Sequence, residues 1–269
     1  MPTAQLLSSP ANPLLKDVRK ALRRGTLTAQ GYCVAEGVHL LEEARRSGSS
    51  IHAILVAQSA EAEIAKSSQG ADERTIVVDN RSFHALSDLE TPQGVLCLVE
   101  PHDWRLEDLL DAEGPIVILD GIQHPGNAGT IVRTAEAFGA AGVVFLKGSV
   151  NPFNPKTIRA AAGSLFRLPF VHNLKSADAL SNFIDRRIKL YAGVPCGTGA
   201  IVLPRIDLTG KCAIVIGNEG GGVGEPFRSA AMPVAIPTGG VESLNAAIAA
   251  AIFLYETRRQ GMRQGIQPA

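Results

Sequence analysis

The sequence predicts an α/β protein whose carboxyl-terminal part is built on a parallel sheet. Three observations carry that expectation. Near-continuous Val, Ile and Leu runs recur from Gly114 onward as PIVILDG, GVVFL, LPFVH, KLYAGV, CAIVIG and PVAIP, and strands apolar on both faces belong to parallel sheets covered on each side. Helical or glycine-rich stretches separate these runs, as crossover connections require. The 269 residues are 45% hydrophobic and 19% charged, which suits one or two globular cores and not a disordered chain.

Residues 1 to about 100 alternate short apolar runs with helical stretches, from YCVAEG and VHLLEEARRSG through HAILVA and TIVVD to GVLCLVE, and read as a smaller α/β unit. The polar run PHDWRLEDLLDAEG, from Pro101 to Gly114, reads as a connection with a short helix in it. The boundary falls there, giving domains 1–105 and 106–269. No apolar run approaches the roughly 18 to 20 residues that span a bilayer, and MPTAQLLSSPANP lacks the layout of a secretory signal. A cytoplasmic protein with no membrane partner is expected. Cys33, Cys97, Cys196 and Cys212 show no close Cys or His spacing, so they read as buried free thiols and no metal is expected. The 26 basic residues balance 26 acidic ones, so a nucleic-acid site must come from local clustering. Lys16, Arg19, Lys20, Arg23 and Arg24 form such a cluster on a helix of the first domain, though a charge run is usually only a solvated face.

Three segments can carry chemistry. In ILDGIQHPGNAGTIVRTAEAFGA a strand ends at Asp120, a Pro-Gly turn follows, Asn127 stands where a helix N-cap is wanted, and Gly139 closes the helix. Ile131, Thr134, Ala135 and Phe138 share one face of that helix, with Arg133 nearly opposite. Asn127 and Arg133 are then either a cap and a surface charge, or a phosphate site at a helix N-terminus with an arginine to fork onto it. In CAIVIGNEGGGVGEPF a buried strand runs into the loop Gly217 to Gly224, whose glycines allow close backbone approach to a flat nucleoside. The loop lacks the Gly-Lys-Ser/Thr ending of a P-loop, and it lies too late in its domain for a dinucleotide fingerprint. Glu219 either satisfies local N–H groups or takes part directly.

The third segment, VAIPTGGVESLNAAIAAAIFLYETRRQ, is a short strand, a turn and a long helix opened by Ser243. Leu244, Ile248, Ala251, Ile252 and Tyr255 make one apolar face, and Phe253 with Ala246, Ala249 and Ala250 makes the opposite side apolar too. Burying the first face at home and the small-residue face against a second copy predicts a homodimer; a wholly internal helix is the alternative. Ser243 reads as a cap, and Asn245, inside the first turn, as the residue freer to contact a ligand.

HPGNAGTIVRTAEAFGA, IVIGNEGGGV and IPTGGVESLNAAIAAAIFLYE, in this order, resemble the three motifs of the SpoU (TrmH-like) RNA ribose methyltransferases of the SPOUT superfamily. The likeness covers Gly114 to about Gln260, and Ser9 to Glu100 resembles the small RNA-binding domain that precedes the catalytic domain in rRNA-modifying members. The resemblance implies a trefoil knot at the carboxyl end, S-adenosylmethionine bound in the knot without a metal, and an active site shared across a dimer. By similarity the donor site comprises Gly217, Asn218, Glu219 and Gly220 with Ile236, Pro237 and Leu244, and Ala192 and Gly193 after KLYAGV. Asn127, Arg133, Glu219, Ser243 and Asn245 take the family's catalytic positions. The implied activity is 2′-O-ribose methylation of structured RNA, most of all 23S-type rRNA, with tRNA or a catalytically silent ribosome-assembly role as alternatives. Two departures bear on substrate positioning: His124 stands where many members have an acid, and Ala161 where a serine is usual.

Overall fold

A computed structural model describes residues 6–67, 73–87, 89–197 and 199–263. The chain forms two compact units, Met1–Asp103 with Phe153–Phe166, and Trp104–Pro152 with Arg167–Ala269.

The first unit opens with β1 (Leu6–Leu7), α1 (Pro13–Arg24), β2 (Cys33–Glu36), α2 (Val38–Arg46) and β3 (Ile51–Ala57). It continues through α3 (Glu61–Ser67), β4 (Thr75–Val78), α4 (Asn80–His84) and β5 (Val95–Val99). The strands form one sheet ordered β1-β4-β3-β5-β2, parallel on the β1 side and antiparallel on the β2 side. α1 starts where it does because the Asn12 side chain accepts from the Leu14 N–H and Pro13 needs no N–H partner, and it stops at Gly25, at φ 63°. Leu15, Val18, Ala21 and Leu22 face the core. Lys16, Lys20, Arg23 and Arg24 are exposed, but Arg19 borders the buried stripe and is half-covered, with its Nε buried. Arg19 therefore departs from the exposed basic cluster expected of it. Cys33 and Cys97 lie on the adjacent strands β2 and β5, and burial pushes both thiols up, Cys97 to about 12.

The second unit comprises α5 (Leu106–Asp111), β6 (Ile116–Asp120), α6 (Pro125–Ala137) and β7 (Gly142–Leu146). After α7 (Pro155–Ala161), which belongs to the first unit, come β8 (Phe170–Leu174), α8 (Ser176–Asp185), β9 (Lys189–Val194) and β10 (Ile201–Val202). β11 (Cys212–Gly217), α9 (Phe227–Ala230), β12 (Met232–Ala235) and α10 (Ala246–Arg263) complete it. All seven strands pair parallel in the order β10-β12-β9-β11-β6-β7-β8. β10 is a strand that the apolar runs did not announce, being only two residues long. The chain visits this sheet out of order: β11 is inserted between β9 and β6, and β12 is then laid on the far side of β9. That reversal creates a crevice beyond the carboxyl ends of β9, β11 and β6, where ligands of open α/β sheets bind. Underneath, Phe183 and Phe227 meet edge to face at 6.5 Å in a core wholly shut off from solvent. Truncating either to alanine costs about 3–5 kcal/mol.

α10 reverses the expected assignment of its faces. The small-residue side is the inner one: Ala246, Ala250, Phe253 and Leu254 are buried, because alanines let the helix approach β11 and α6 closely enough for Phe253 to fill the space between. The other side carries Ile248, Tyr255 and Met262 at every seventh position, each more than half exposed at 52%, 54% and 53%. Three cysteines are buried as expected, but Cys196 is exposed, since it follows the end of β9 and not a strand interior. Among the described residues no helix is long and apolar enough to cross a membrane, and no cluster of three or more His, Cys, Asp or Glu stands ready for a metal.

Candidate active site

β11 ends at Gly217, in register with Asp120 at the end of β6. Here the chain folds back so tightly that a Cβ on Gly217 would lie 2.1 Å from the Gly222 carbonyl carbon, so only glycine fits. Asn218 shapes the loop from within, its Oδ1 accepting from the N–H groups of Gly220 (3.0 Å) and Gly221 (2.5 Å). Asp120 pins the far end, its Oδ2 accepting from the Gly224 N–H at 2.7 Å. The glycines thus serve the loop's own backbone before any ligand.

This loop presents Glu219 to two helix N-termini. Glu219 Oε1 accepts from Asn127 Nδ2 at 2.6 Å and from Asn245 Nδ2 at 3.2 Å, while Asn245 Nδ2 also donates to Asn127 Oδ1 at 3.1 Å. The amide orientations are mutually consistent: Asn245 Oδ1 is occupied by the N–H groups of Ala247 and Ile248, which leaves its NH2 to face the other two residues. The sheet therefore brings together one residue from each of the three segments singled out in the sequence.

Both caps differ from expectation. α6 is capped by His124, whose Nδ1 accepts from the Asn127 N–H at 3.3 Å, so Asn127 sits inside the first turn and its side chain, not needed as a cap, joins the Glu219 network. The signal was in the sequence, since Pro125 at N1 makes its predecessor the N-cap. α10 begins at Ala246 and is capped by Asn245, not Ser243, which is exposed in the preceding turn. Arg133 is exposed on α6, makes no hydrogen bond or ion pair to a described residue, and is not part of the Glu219 network. Six residues on from Asn127, it leaves the helix about 120° away around the axis.

Beside the loop lies a cleft of about 450 Å3, inside the usual range for a small-molecule site. Gly193, Gly217, Asn218, Glu219, Gly220, Ile236 and Leu244 line it as expected, and so does Ser243. Ala192 and Pro237 do not: the Ala192 side chain is buried in the core and Pro237 is exposed outside the cleft. Ile216, Cys196, Glu242 and Phe253 were missed: Ile216 lies at a strand end and Phe253 inside a helix, where apolar residues read as core, and Cys196 and Glu242 sit in turns where sequence assigns their side chains no role. The cleft suits a cationic nucleoside: Ile216, Ile236, Leu244 and Phe253 offer apolar contact to a flat base, loop backbone supplies polar groups, and Glu219 and Glu242 supply negative charge. The fold and this cleft define a parallel α/β protein with a small-molecule site at the carboxyl ends of its strands.

Residues 114–255 match the SpoU rRNA methylase family, and residues 12–97 match the MRM3-like substrate binding domain. A 23S rRNA guanosine 2′-O-methyltransferase of Bacillus subtilis is 32% identical over 258 residues, covering 94% of this chain and 98% of that protein. An uncharacterized tRNA/rRNA methyltransferase of Synechocystis is 33% identical over 260 residues, covering 94% and 93%. Among solved structures, the SpoU methyltransferase of Streptomyces viridochromogenes in complex with AdoMet superposes with a TM-score of 0.82 at 27% identity, covering 93% of this chain and 98% of that one. The chain belongs to the SpoU rRNA methylase family. It is an S-adenosylmethionine-dependent RNA 2′-O-methyltransferase.

Proposed function

We propose that this chain methylates a ribose 2′-hydroxyl in 23S-type ribosomal RNA in the cytoplasm, with residues 1–105 recognising the RNA and residues 106–269 carrying the transfer. One observation bears most of the weight: Glu219 belongs both to the wall of the nucleoside-sized cleft and to the network that ties Asn127 to Asn245. The choice of rRNA draws on the 23S rRNA activity named for the Bacillus relative and on the substrate-binding match in residues 12–97. The strand order supports the family's trefoil threading of the carboxyl-terminal segment.

S-adenosylmethionine supplies an electrophilic methyl group on a cationic sulfur. The backbone of Gly217, Asn218 and Gly220, with Gly193, Ile236 and Leu244, would hold it, and Ser243 in the same wall would help fix it. Asn127, freed from capping, orients the ribose. Arg133 clamps the neighbouring phosphate and stabilises alkoxide charge as it develops. A guanidinium keeps its proton at neutral pH, so the hydroxyl proton passes to a lone-pair acceptor, a substrate phosphate oxygen or a carboxylate such as Glu219.

Arg133 points away from the network, and the stripe Ile248, Tyr255 and Met262 is uncovered in the single chain. Both features support a homodimer in which α10 meets a second copy and the active site is completed across the pair. Light scattering tests this: the wild type runs as a dimer and Tyr255→Arg as a monomer, whereas a monomeric wild type removes the shared site. The activity is tested by incubating the purified chain with methyl-tritiated donor and either ribosomal RNA or tRNA, then digesting to nucleosides. Label in 2′-O-methyl nucleosides of rRNA is expected; label in the bases, or in tRNA alone, overturns the reading.

A further inference from the structure

The amino-terminal unit has a concavity of its own, about 1060 Å3, formed by α1, the turn before β2, and the starts of β3 and β4. Its size lies at the top of the roughly 300–1,000 Å3 range of ligand pockets, with room for a nucleotide and its flanking phosphates. Within it Tyr32 and His52 stack at 4.2 Å with 14° between their planes. Tyr32 packs against the core of the unit and His52 is exposed, so His52 is the outer ring of the stack. Lys16 and Lys20, one helical turn apart on α1, and Arg74 stand around it, all exposed and without an ion pair to a described residue. Asp17 is the acid in this lining, and its carboxylate is engaged by the Ala29 N–H, 3.0 Å from each oxygen.

A flat ring with an open face, bordered by cations, is the arrangement that reads unpaired nucleotides: bases stack on the ring and the backbone runs along the charges. A duplex keeps its bases stacked on one another and has no free face to offer. We propose that this cleft takes an unpaired nucleotide of the RNA substrate, its base on the free face of His52 and its flanking phosphates on Lys16, Lys20 and Arg74. The proposal rests on the reading of the chain as an RNA methyltransferase, and adds a site that selects single-stranded over paired RNA.

The test uses the full chain, a single-stranded 12-residue oligoribonucleotide carrying 2-aminopurine, and the blunt duplex of the same sequence. Anisotropy gives affinity, base fluorescence reports stacking, and calorimetry with S-adenosylmethionine on the same preparations reports the donor site. Wild type quenches the probe and prefers the single strand. His52→Ala loses the quenching and about tenfold in affinity, the effect of one lost base stack, and His52→Trp restores both. Lys16→Ala with Lys20→Ala lowers the salt slope by about 1.4. Donor binding is the same in every variant. A His52→Ala protein that binds and quenches like wild type overturns the site, as does equal affinity for duplex and single strand. If wild type stacks the probe but neither binds the donor nor methylates RNA, the methyltransferase reading falls and the nucleotide site stands.

Discussion

α6 and α10 both begin beyond the carboxyl ends of strands of the same sheet, they pack on each other, and each brings an asparagine to Glu219. They are nevertheless capped differently. On α6 the cap belongs to His124, and the Asn127 side chain has no part in holding the helix. On α10 Asn245 does two jobs at once, its oxygen capping the helix and its nitrogen closing the network. Similar residues in similar places thus differ in what their loss removes: contact to the site alone on α6, the site and the helix start together on α10.

The largest expected effect tests whether α6 also carries chemistry. Arg133→Ala lowers methyl transfer about 10²–10³-fold, the range for removing a stabiliser of transition-state charge, while calorimetry finds donor affinity nearly unchanged. Transfer at the wild-type rate would remove Arg133 from the mechanism. Next comes the residue both helices share. Glu219→Ala leaves the amides of Asn127 and Asn245 without their common acceptor, and a lost hydrogen bond to a charged group costs about 1.5–3 kcal/mol, so the rate falls roughly 10- to 100-fold; a rate within twofold of wild type would mean that the network does not position substrate.

The contrast itself is read by pairing Asn245→Ala with Asn127→Ala. Both slow transfer, but only Asn245→Ala loses a cap worth about 1 kcal/mol, a shift of about 2–4 °C in Tm for a protein of this size. Equal Tm values would erase the difference between the two helices. The smallest effect concerns the wall of the cleft. Cys196 is exposed and its Sγ contacts the Ile236 carbonyl at 3.1 Å, whereas burial pushes the thiols of Cys97 and Cys212 up to about 12. A thiol with a raised pKa forms its reactive thiolate only as pH climbs toward that value. At pH 8, iodoacetamide therefore labels Cys196 and spares Cys97 and Cys212, and S-adenosylmethionine slows the labelling of Cys196; peptide mass spectrometry checks both.

Much of this was legible in the sequence because its signals are local. The Val and Ile runs announced the parallel sheet, and the loop glycines announced a close backbone approach, though to Gly222 of the same loop and not first to a ligand. The convergence of Asn127, Glu219 and Asn245 followed from family resemblance, since nothing in their spacing brings residues so far apart together. What escaped depends on tertiary packing. Which side of α10 faces inward was decided by the room that alanines leave for Phe253, and two apolar faces gave periodicity nothing to choose between. Arg19 is half-covered because it borders the buried stripe of α1, which a count of charges does not register. The clamp from Asp120 to Gly224 joins two segments on neighbouring strands, and neither segment alone announces it.

The most direct test of a single methyl-transfer site built on Glu219 is a site-by-site map of ribose methylation on 23S rRNA, treated with wild type or with Glu219→Ala at saturating donor. The account predicts one ribose position modified by the wild type and nearly bare with the variant. Equal modification by both proteins, or a map in which neither modifies any ribose, would contradict it.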